Sequence, residues 1–332
     1  VRPPSIPGAD EELTSRVEAG LARVSQRLAE VVDHDDPFVS EANHHLAAAG
    51  GKGFRPLLTL LSSEVGTGWD EQVVDAAVGV ELTHLASLYH DDVMDEAELR
   101  RGVQSANARY GNSTAILVGD LLFGTASSVV AGLGAQAVRI QADTFIRLCA
   151  GQIRDDRQAD ADLPSDQAVQ AYLEILADKT GALIATAARY GAMFGGCDEA
   201  TTRTLTAYGE KVGVVFQLAD DLLDVASDAQ ESGKTPGTDL REGKATLPVL
   251  YARSSEDPAD ARLLELTRGP IEDPDDLAEA LSLLRGHPAM AQAREQTLHV
   301  AAQARELLDD LPASPARAAL QALVDGVADR SR

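Results

Sequence analysis

Residues 81 to 95 read ELTHLASLYHDDVMD, an apolar helical pattern that ends in three aspartates, Asp91, Asp92 and Asp95. On an α-helix, positions i and i+4 point about 40° apart, so Asp91 and Asp95 share a face. His84, seven residues earlier, falls on the same face two turns down. Like carboxylates one turn apart repel each other and weaken a helix. A helix that keeps them is expected to neutralise them with a cation. Hard oxygen ligands suit Mg2+, which retains several waters and is commonly completed by phosphate oxygens.

The pattern recurs. Residues 216 to 224 read FQLADDLLD and place Asp220, Asp221 and Asp224 at the same spacing, 129 residues further on and again after an apolar helical run. One such run is as easily a solvated acidic face. Two, both embedded in apolar segments, predict a pair of carboxylate clusters facing each other across a helical cavity, with Mg2+ and a diphosphate between them.

Composition bounds the rest. The 332 residues are 44% hydrophobic but only 4% aromatic, and alanine and leucine dominate. That favours helices, because strands enrich for β-branched and aromatic residues. The 53 acidic against 29 basic residues give a net charge of −24, which repels nucleic acid and excludes it as a partner. A polyanionic substrate would then need local cations. The five lysines are Lys52, Lys179, Lys211, Lys234 and Lys244, and all but Lys211 lie in short Gly- or Thr-containing stretches. Cys149 and Cys197 read as small buried hydrophobes in a reducing compartment. No run of about 20 apolar residues and no signal peptide is recognised, so a cytoplasmic protein without stable membrane insertion is expected.

Residues 1–9 hold three prolines and are expected to form a disordered arm. Residues 10–332 are expected to form one all-α domain, with Asp10 capping its first helix. After a second helix comes GGKGFRP, residues 50 to 56. Its glycines allow a tight turn, and Pro56 suits a first helical turn. Lys52 and Arg55 there make either an anion site at a helix N-terminus or an ordinary connection. Further helices are expected over 57–65, 71–98, 112–133, 135–158, 165–194 and 199–228. Arg100 and Arg101, which follow the first aspartates, suit bidentate phosphate contacts and equally a helix C-terminus. The helix over 112–133 is expected to be central and buried, with Asp120 a buried charge. In the one over 165–194, Lys179 and Thr180 offer a cation and a hydroxyl, or Lys179 merely snorkels to solvent. Residues 229–246 form a long polar loop carrying Lys234 and Lys244, a candidate lid. Five shorter helices follow between 247 and 330, and no segment shows strand alternation.

Together these stretches resemble the trans-isoprenyl diphosphate synthases, or polyprenyl synthetases, from about residue 35 to 250. GGKGFRP is similar to that family's GGKxxRP, DDVMD followed by RRG to its first aspartate-rich motif, and DKT to its lysine–threonine motif. FQLADDLLD resembles its second aspartate-rich motif and GKT its lid lysine. The resemblance implies the isoprenoid synthase fold, a single-domain bundle of long antiparallel helices around a central cavity. It implies a Mg2+-dependent prenyltransferase that condenses isopentenyl diphosphate head-to-tail with an allylic diphosphate, usually as a homodimer. It implies that Lys52, Arg55, His84 and Arg101 bind isopentenyl diphosphate, and that Arg100, Lys179, Thr180, Gln217 and Lys234 bind the allylic diphosphate. Lys244 is a further lid candidate. Asp91, Asp95, Asp220 and Asp224 would hold Mg2+, three ions in all, with Asp92 and Asp221 in support.

Product length is read from the first acidic helix, along which a growing tail should run. Ala86 and Ser87, just below Asp91, are small, where family members that stop at fifteen carbons usually carry an aromatic. Leu88, Tyr89 and Leu117 are the candidates for a deeper floor, with Leu121 and Phe123 beyond. A long-chain product of about thirty to fifty carbons is expected from so open a channel. The alternatives are a geranylgeranyl (C20) or farnesyl (C15) diphosphate synthase, a non-catalytic partner subunit of a heteromeric synthase, and a class I terpene cyclase.

Overall fold

A computed structural model describes residues 7–50, 53–157, 165–226 and 236–331. The expected all-α architecture is present. The helices are α1 (Glu11–Val32), α2 (Pro37–Ala48), α3 (Phe54–Ser63), α4 (Glu71–Met94), α5 (Ala106–Tyr110), α6 (Asn112–Ala131), α7 (Ala135–Arg157), α8 (Ser165–Leu176), α9 (Ala182–Phe194) and α10 (Glu199–Ala226). After these come α11 (Thr238–Arg241), α12 (Leu247–Arg253), α13 (Ala261–Leu266), α14 (Pro274–Gly286), α15 (Pro288–Leu307) and α16 (Pro315–Ala328). Asp10 caps α1 as expected, its Oδ1 accepting the Leu13 N–H at 2.8 Å.

The chain divides into two compact units, each discontinuous in sequence. One comprises residues 1–145, 183–209 and 308–322; the other comprises 146–182, 210–307 and 323–332. Of the expected arm, residues 1–6 lie outside the described residues, whereas Gly8 packs against Ala318 of the first unit.

The first unit is built on α4 against α6. Val74, Ala77, Val78, Leu82, Leu85 and Ala86 of α4 share one core with Ala115, Val118, Leu122 and Ala126 of α6. Alanine and glycine let the two helices approach: a Cβ on Gly79 would lie 2.5 Å from Val130, and one on Gly119 would lie 2.3 Å from the His90 ring. Only one stripe of α6 is consumed this way. Ile116 (43% exposed), Leu117 (66%) and Leu121 (38%) lie outside it. The expectation of a central, buried helix is therefore corrected: with 3.6 residues per turn, the face defined by Ala115, Val118, Gly119 and Leu122 excludes them. By length and composition α6 is also long and apolar enough to cross a membrane, with mean hydropathy 1.6. Asp120 is likewise not a buried charge; it is largely exposed and pairs with His90 at 3.3 Å.

Two local departures from regular helix shape the site. Between α4 and α5 the chain forms a two-residue hairpin, β1 (Leu99–Arg100) paired with β2 (Val103–Gln104). Its turn residues Arg101 and Gly102 both have positive φ (53° and 78°), the turn whose twist matches paired strands. The single helix expected over 165–194 is interrupted by a π-helical turn, Ala177–Gly181, between α8 and α9.

Candidate functional site

In the first unit the C-terminal end of α4 and the hairpin gather most of the residues expected there. Asp92 is fully buried and receives Arg100 Nε at 2.5 Å, while Arg100 Nη2 lies 3.7 Å from Asp95. Arg100 therefore balances the first aspartates rather than standing apart as a free cation. Asp95 is exposed and Asp91 half-buried on the shared face of α4. The left-handed turn throws the Arg101 side chain back over the helices, where Nη1 donates to Leu46 O at 3.0 Å and Nη2 sits 4.0 Å from Glu81. Arg55, on the first turn of α3, belongs to the same group. Its Nε is buried with no hydrogen-bond partner among the described residues. Burial, and after it Arg55, Arg101 and Arg100, holds the His84 imidazole well below its ordinary range, so His84 is neutral here. Lys52 lies outside the described residues.

In the second unit, one face of α7 grips the π-helical turn. Arg147 Nε bonds Asp178 at 2.7 Å, Arg154 bonds the other Asp178 oxygen, and Asp155 receives Lys179 Nζ at 2.7 Å. Lys179 is therefore a held cation, not one snorkelling to water. Thr180 Oγ1 donates to Gln217 Oε1 at 3.3 Å, and Gln217 Nε2 donates to Asp221 at 3.1 Å. The other Asp221 oxygen accepts the Tyr172 hydroxyl. Asp221 is buried, and desolvation followed by Asp239 pushes its carboxyl well above the usual range. Asp221 thus accepts from both Gln217 and Tyr172. Asp220 lies on the half-exposed side of α10. The two oxygens of Asp224 accept the Thr238 and Asp239 N–H groups at 3.2 and 3.1 Å, at the start of α11. Lys244 pairs with Glu242 at 2.6 Å, and Lys234 lies outside the described residues.

Sequence reading missed four acidic or phenolic groups: Glu81, Asp155, Tyr172 and Asp239. Asp239 is pushed up to about 7 by desolvation and by Asp224 beside it. Each meets its partner across helices or across a long loop, where no spacing rule applies. The hairpin offered a weak signal, since Gly102 follows two arginines at the point where the helical pattern stops.

Of the tail-lining candidates, Ala86 is buried in the α4–α6 core and Ser87 is half-buried, its hydroxyl turned back to His84 O at 2.9 Å. Leu88 packs beside that core. Tyr89 is fully buried with its hydroxyl on Ala42 O at 2.5 Å, so it faces α2. Leu117 is 66% exposed, on the stripe of α6 that faces away from the α4 core. Phe123 stacks on Phe145 with ring centroids 3.9 Å apart.

Among the described residues, no three His, Cys, Asp or Glu side chains cluster tightly enough to enclose a metal by themselves. The carboxylates of Asp91 and Asp95, one turn apart on α4, instead fit an ion that takes one or two carboxylates and completes its shell with water and phosphate oxygens, as Mg2+ does.

The chain is similar to proteins of known family and structure. The chain is 48% identical over 322 residues to nonaprenyl diphosphate synthase of Mycobacterium tuberculosis, covering 97% of this chain and 95% of that one. It superposes on geranylgeranyl pyrophosphate synthase of Corynebacterium glutamicum, solved with calcium and isoprenyl diphosphate, with a TM-score of 0.84 at 40% identity over 97% and 98% of the two chains. A decaprenyl diphosphate synthase from Rhodobacter capsulatus gives 0.87 at 32% identity over 97% and 99%. The Polyprenyl synthetase pattern matches residues 36–284, and the chain belongs to that family.

Proposed function

We propose that the protein is a trans-polyprenyl diphosphate synthase that adds isopentenyl diphosphate head-to-tail to an allylic diphosphate and makes long chains, C30 to C50. One observation carries the reading. Each unit presents a helix-borne aspartate triad beside cations that the fold holds in place, Arg55, Arg100 and Arg101 in one and Lys179 in the other.

In this reading Arg55, Arg101 and neutral His84, with Lys52, receive the diphosphate of isopentenyl diphosphate. Lys179, Thr180 and Gln217, with Arg100 and Lys234, receive the allylic diphosphate, and Lys244 assists from the loop. Asp91, Asp95 and Asp220 hold Mg2+, three ions in all, with Asp224 joining them once released from α11. A bound divalent ion supplies charge neutralisation as the allylic C–O bond breaks. Lys179, fixed by Asp155, adds a positioned positive charge where the leaving diphosphate develops its own. The double bond of isopentenyl diphosphate attacks the allylic carbocation, and a proton is then lost, with the departed diphosphate as the acceptor. Ala86 and Ser87 leave the tail room to lengthen.

The similarity to the Corynebacterium glutamicum enzyme favours a second reading, a C20 product. Purified protein incubated with isopentenyl diphosphate and primers of five to twenty carbons, with Mg2+ and with chelator, separates them. Mg2+-dependent products beyond thirty carbons support the proposal, and a stop at twenty supports the second reading. Absence of elongation with every primer refutes both.

We further propose a cytoplasmic homodimer. The two free cysteines suit a reducing compartment. Ile116, Leu117 and Leu121 are large apolar side chains exposed together on α6, the kind of surface that a partner commonly covers. A second copy seated on that face of α6 covers it. Leu117→Glu should then yield a monomer by light scattering. A wild-type protein that is monomeric and floats with lipid vesicles would assign the face to a membrane instead.

A further inference from the structure

A carboxylate inside an apolar helix needs a reason, because burying a charge costs several kcal/mol unless a partner offsets it. Glu81 is 9% exposed and sits on α4 between Val80 and Leu82, both in the core. It lies one turn before His84, on the side of α4 where α3 and the hairpin deliver Arg55 and Arg101. Its Oε1 stands 4.0 Å from Arg101 Nη2, and its charge also favours the charged form of Arg55.

The contact is loose, and the looseness is informative. A bidentate pair at ordinary hydrogen-bond length would consume the guanidinium donors. Here Arg101 gives Nη1 to a backbone carbonyl and only approaches Glu81 with Nη2, while Arg55 Nε has no hydrogen-bond partner among the described residues. Two guanidiniums that repel each other thus have one buried carboxylate nearby, which meets Arg101 only at 4.0 Å, and Arg55 Nε stays without a hydrogen-bond partner among the described residues. A site built only for stability would saturate those donors; a site built for an anion keeps them open.

We propose that Glu81 is a positioning residue for isopentenyl diphosphate, tying Arg55 and Arg101 into one anion-receiving pair while leaving donors of both for the substrate. The inference rests on the proposed roles of those arginines. Glu81 touches no reacting atom. It sets where the two guanidiniums point before the substrate arrives, so its loss weakens one substrate selectively.

The test is steady-state kinetics of Glu81→Gln, Glu81→Asp and Arg101→Gln, each substrate varied in turn, with helicity and thermal melting recorded on the same preparations. Glu81→Gln keeps the shape and removes the charge. It should raise KM for isopentenyl diphosphate about tenfold, leave KM for the allylic diphosphate within about twofold, and change kcat little. Glu81→Asp should fall between it and wild type, and it carries the same test if the glutamine variant does not fold. A Glu81→Gln enzyme with unchanged or lower KM for isopentenyl diphosphate, beside an Arg101→Gln enzyme that loses affinity for it, overturns the proposal and leaves the substrate assignment standing. If neither variant changes that KM, the assignment of the arginines falls with it. Equal rises in both KM values would reduce Glu81 to a structural residue and overturn the proposal as well.

Discussion

Adding one carbon at Gly151 should disable Lys179 without touching its side chain. Gly151 is buried on the face of α7 that grips the π-helical turn, one helical turn before Asp155, the partner of Lys179. A Cβ at Gly151 would lie 2.5 Å from Lys179 N, 2.9 Å from Lys179 Cα and 3.0 Å from Asp178 C. All three are backbone atoms, so no rotamer change relieves the clash, and the turn must retreat by about 1 Å to reach ordinary contact. Asp178 is held by Arg147 and Arg154, so the turn has little freedom to do so cheaply. Overpacking of this kind costs about 1–3 kcal/mol, and the better helix propensity of alanine returns about 0.5–1 kcal/mol. A displacement of about 1 Å in a charge that must meet a leaving group costs about 100-fold in rate. Gly151→Ala should therefore lose about two orders of magnitude in kcat/KM for the allylic substrate, with a modest loss in melting temperature. Gly286→Ala, on α14 with nothing within 4 Å of the added carbon, serves as control and should be neutral or slightly stabilising. Wild-type kcat/KM in a folded Gly151→Ala enzyme would refute the idea that close backbone approach sets the position of Lys179.

Asp155→Asn should free Lys179 and raise KM for the allylic diphosphate about tenfold with KM for isopentenyl diphosphate unchanged, read from the same two-substrate kinetics. Tyr172→Phe removes the donor to buried Asp221 and should cost about 1–3 kcal/mol in chemical denaturation. Ser87→Phe should shorten the product ladder on thin-layer or mass analysis, since the ring would occupy the space one turn below Asp91; an unchanged ladder places the tail elsewhere. His84 gives a pH dependence. Its folded imidazole titrates well below 6.5, so as pH falls the unfolded chain takes up the proton first. Stability contributed by neutral His84 is full above pH 6.5 and is lost from there down to the folded pKa. His84→Asn should flatten that part of an unfolding-versus-pH curve.

Much of this arrangement was legible in the sequence because it is local. Helix boundaries followed 3.6-residue apolar periodicity, Asp10 announced itself as a cap, and the aspartate triads kept a spacing that only a helix turns into a shared face. Where a helix is apolar all round, however, periodicity ceases to choose a face. For α6 that is why Leu117, and not only Leu122, looked like an interior residue. The π-helical turn at Ala177–Gly181 had no signature either. Widening one turn from i+4 to i+5 needs no special residue. It needs an outside grip, here from Arg147, Arg154 and Asp155, which approach from α7 more than twenty residues away in sequence.

The same logic explains why the motif residues were found and their partners were not. Asp91, Asp92, Arg100, Lys179 and Asp221 carry charges in a pattern, and pattern is what a sequence displays. Glu81, Asp155 and Tyr172 are single residues whose meaning comes from one contact each, to Arg101, Lys179 and Asp221. A net charge of −24 makes any one carboxylate unremarkable in sequence, yet a diphosphate site in such a chain depends on where its few cations are pinned. Two of those cations are pinned by carboxylates of this same acidic surplus, Arg100 by Asp92 and Lys179 by Asp155, and a third, Arg101, stands within 4.0 Å of Glu81. The acidic excess that repels polyanions in general is thus, at these points, what orients the cations proposed to receive one.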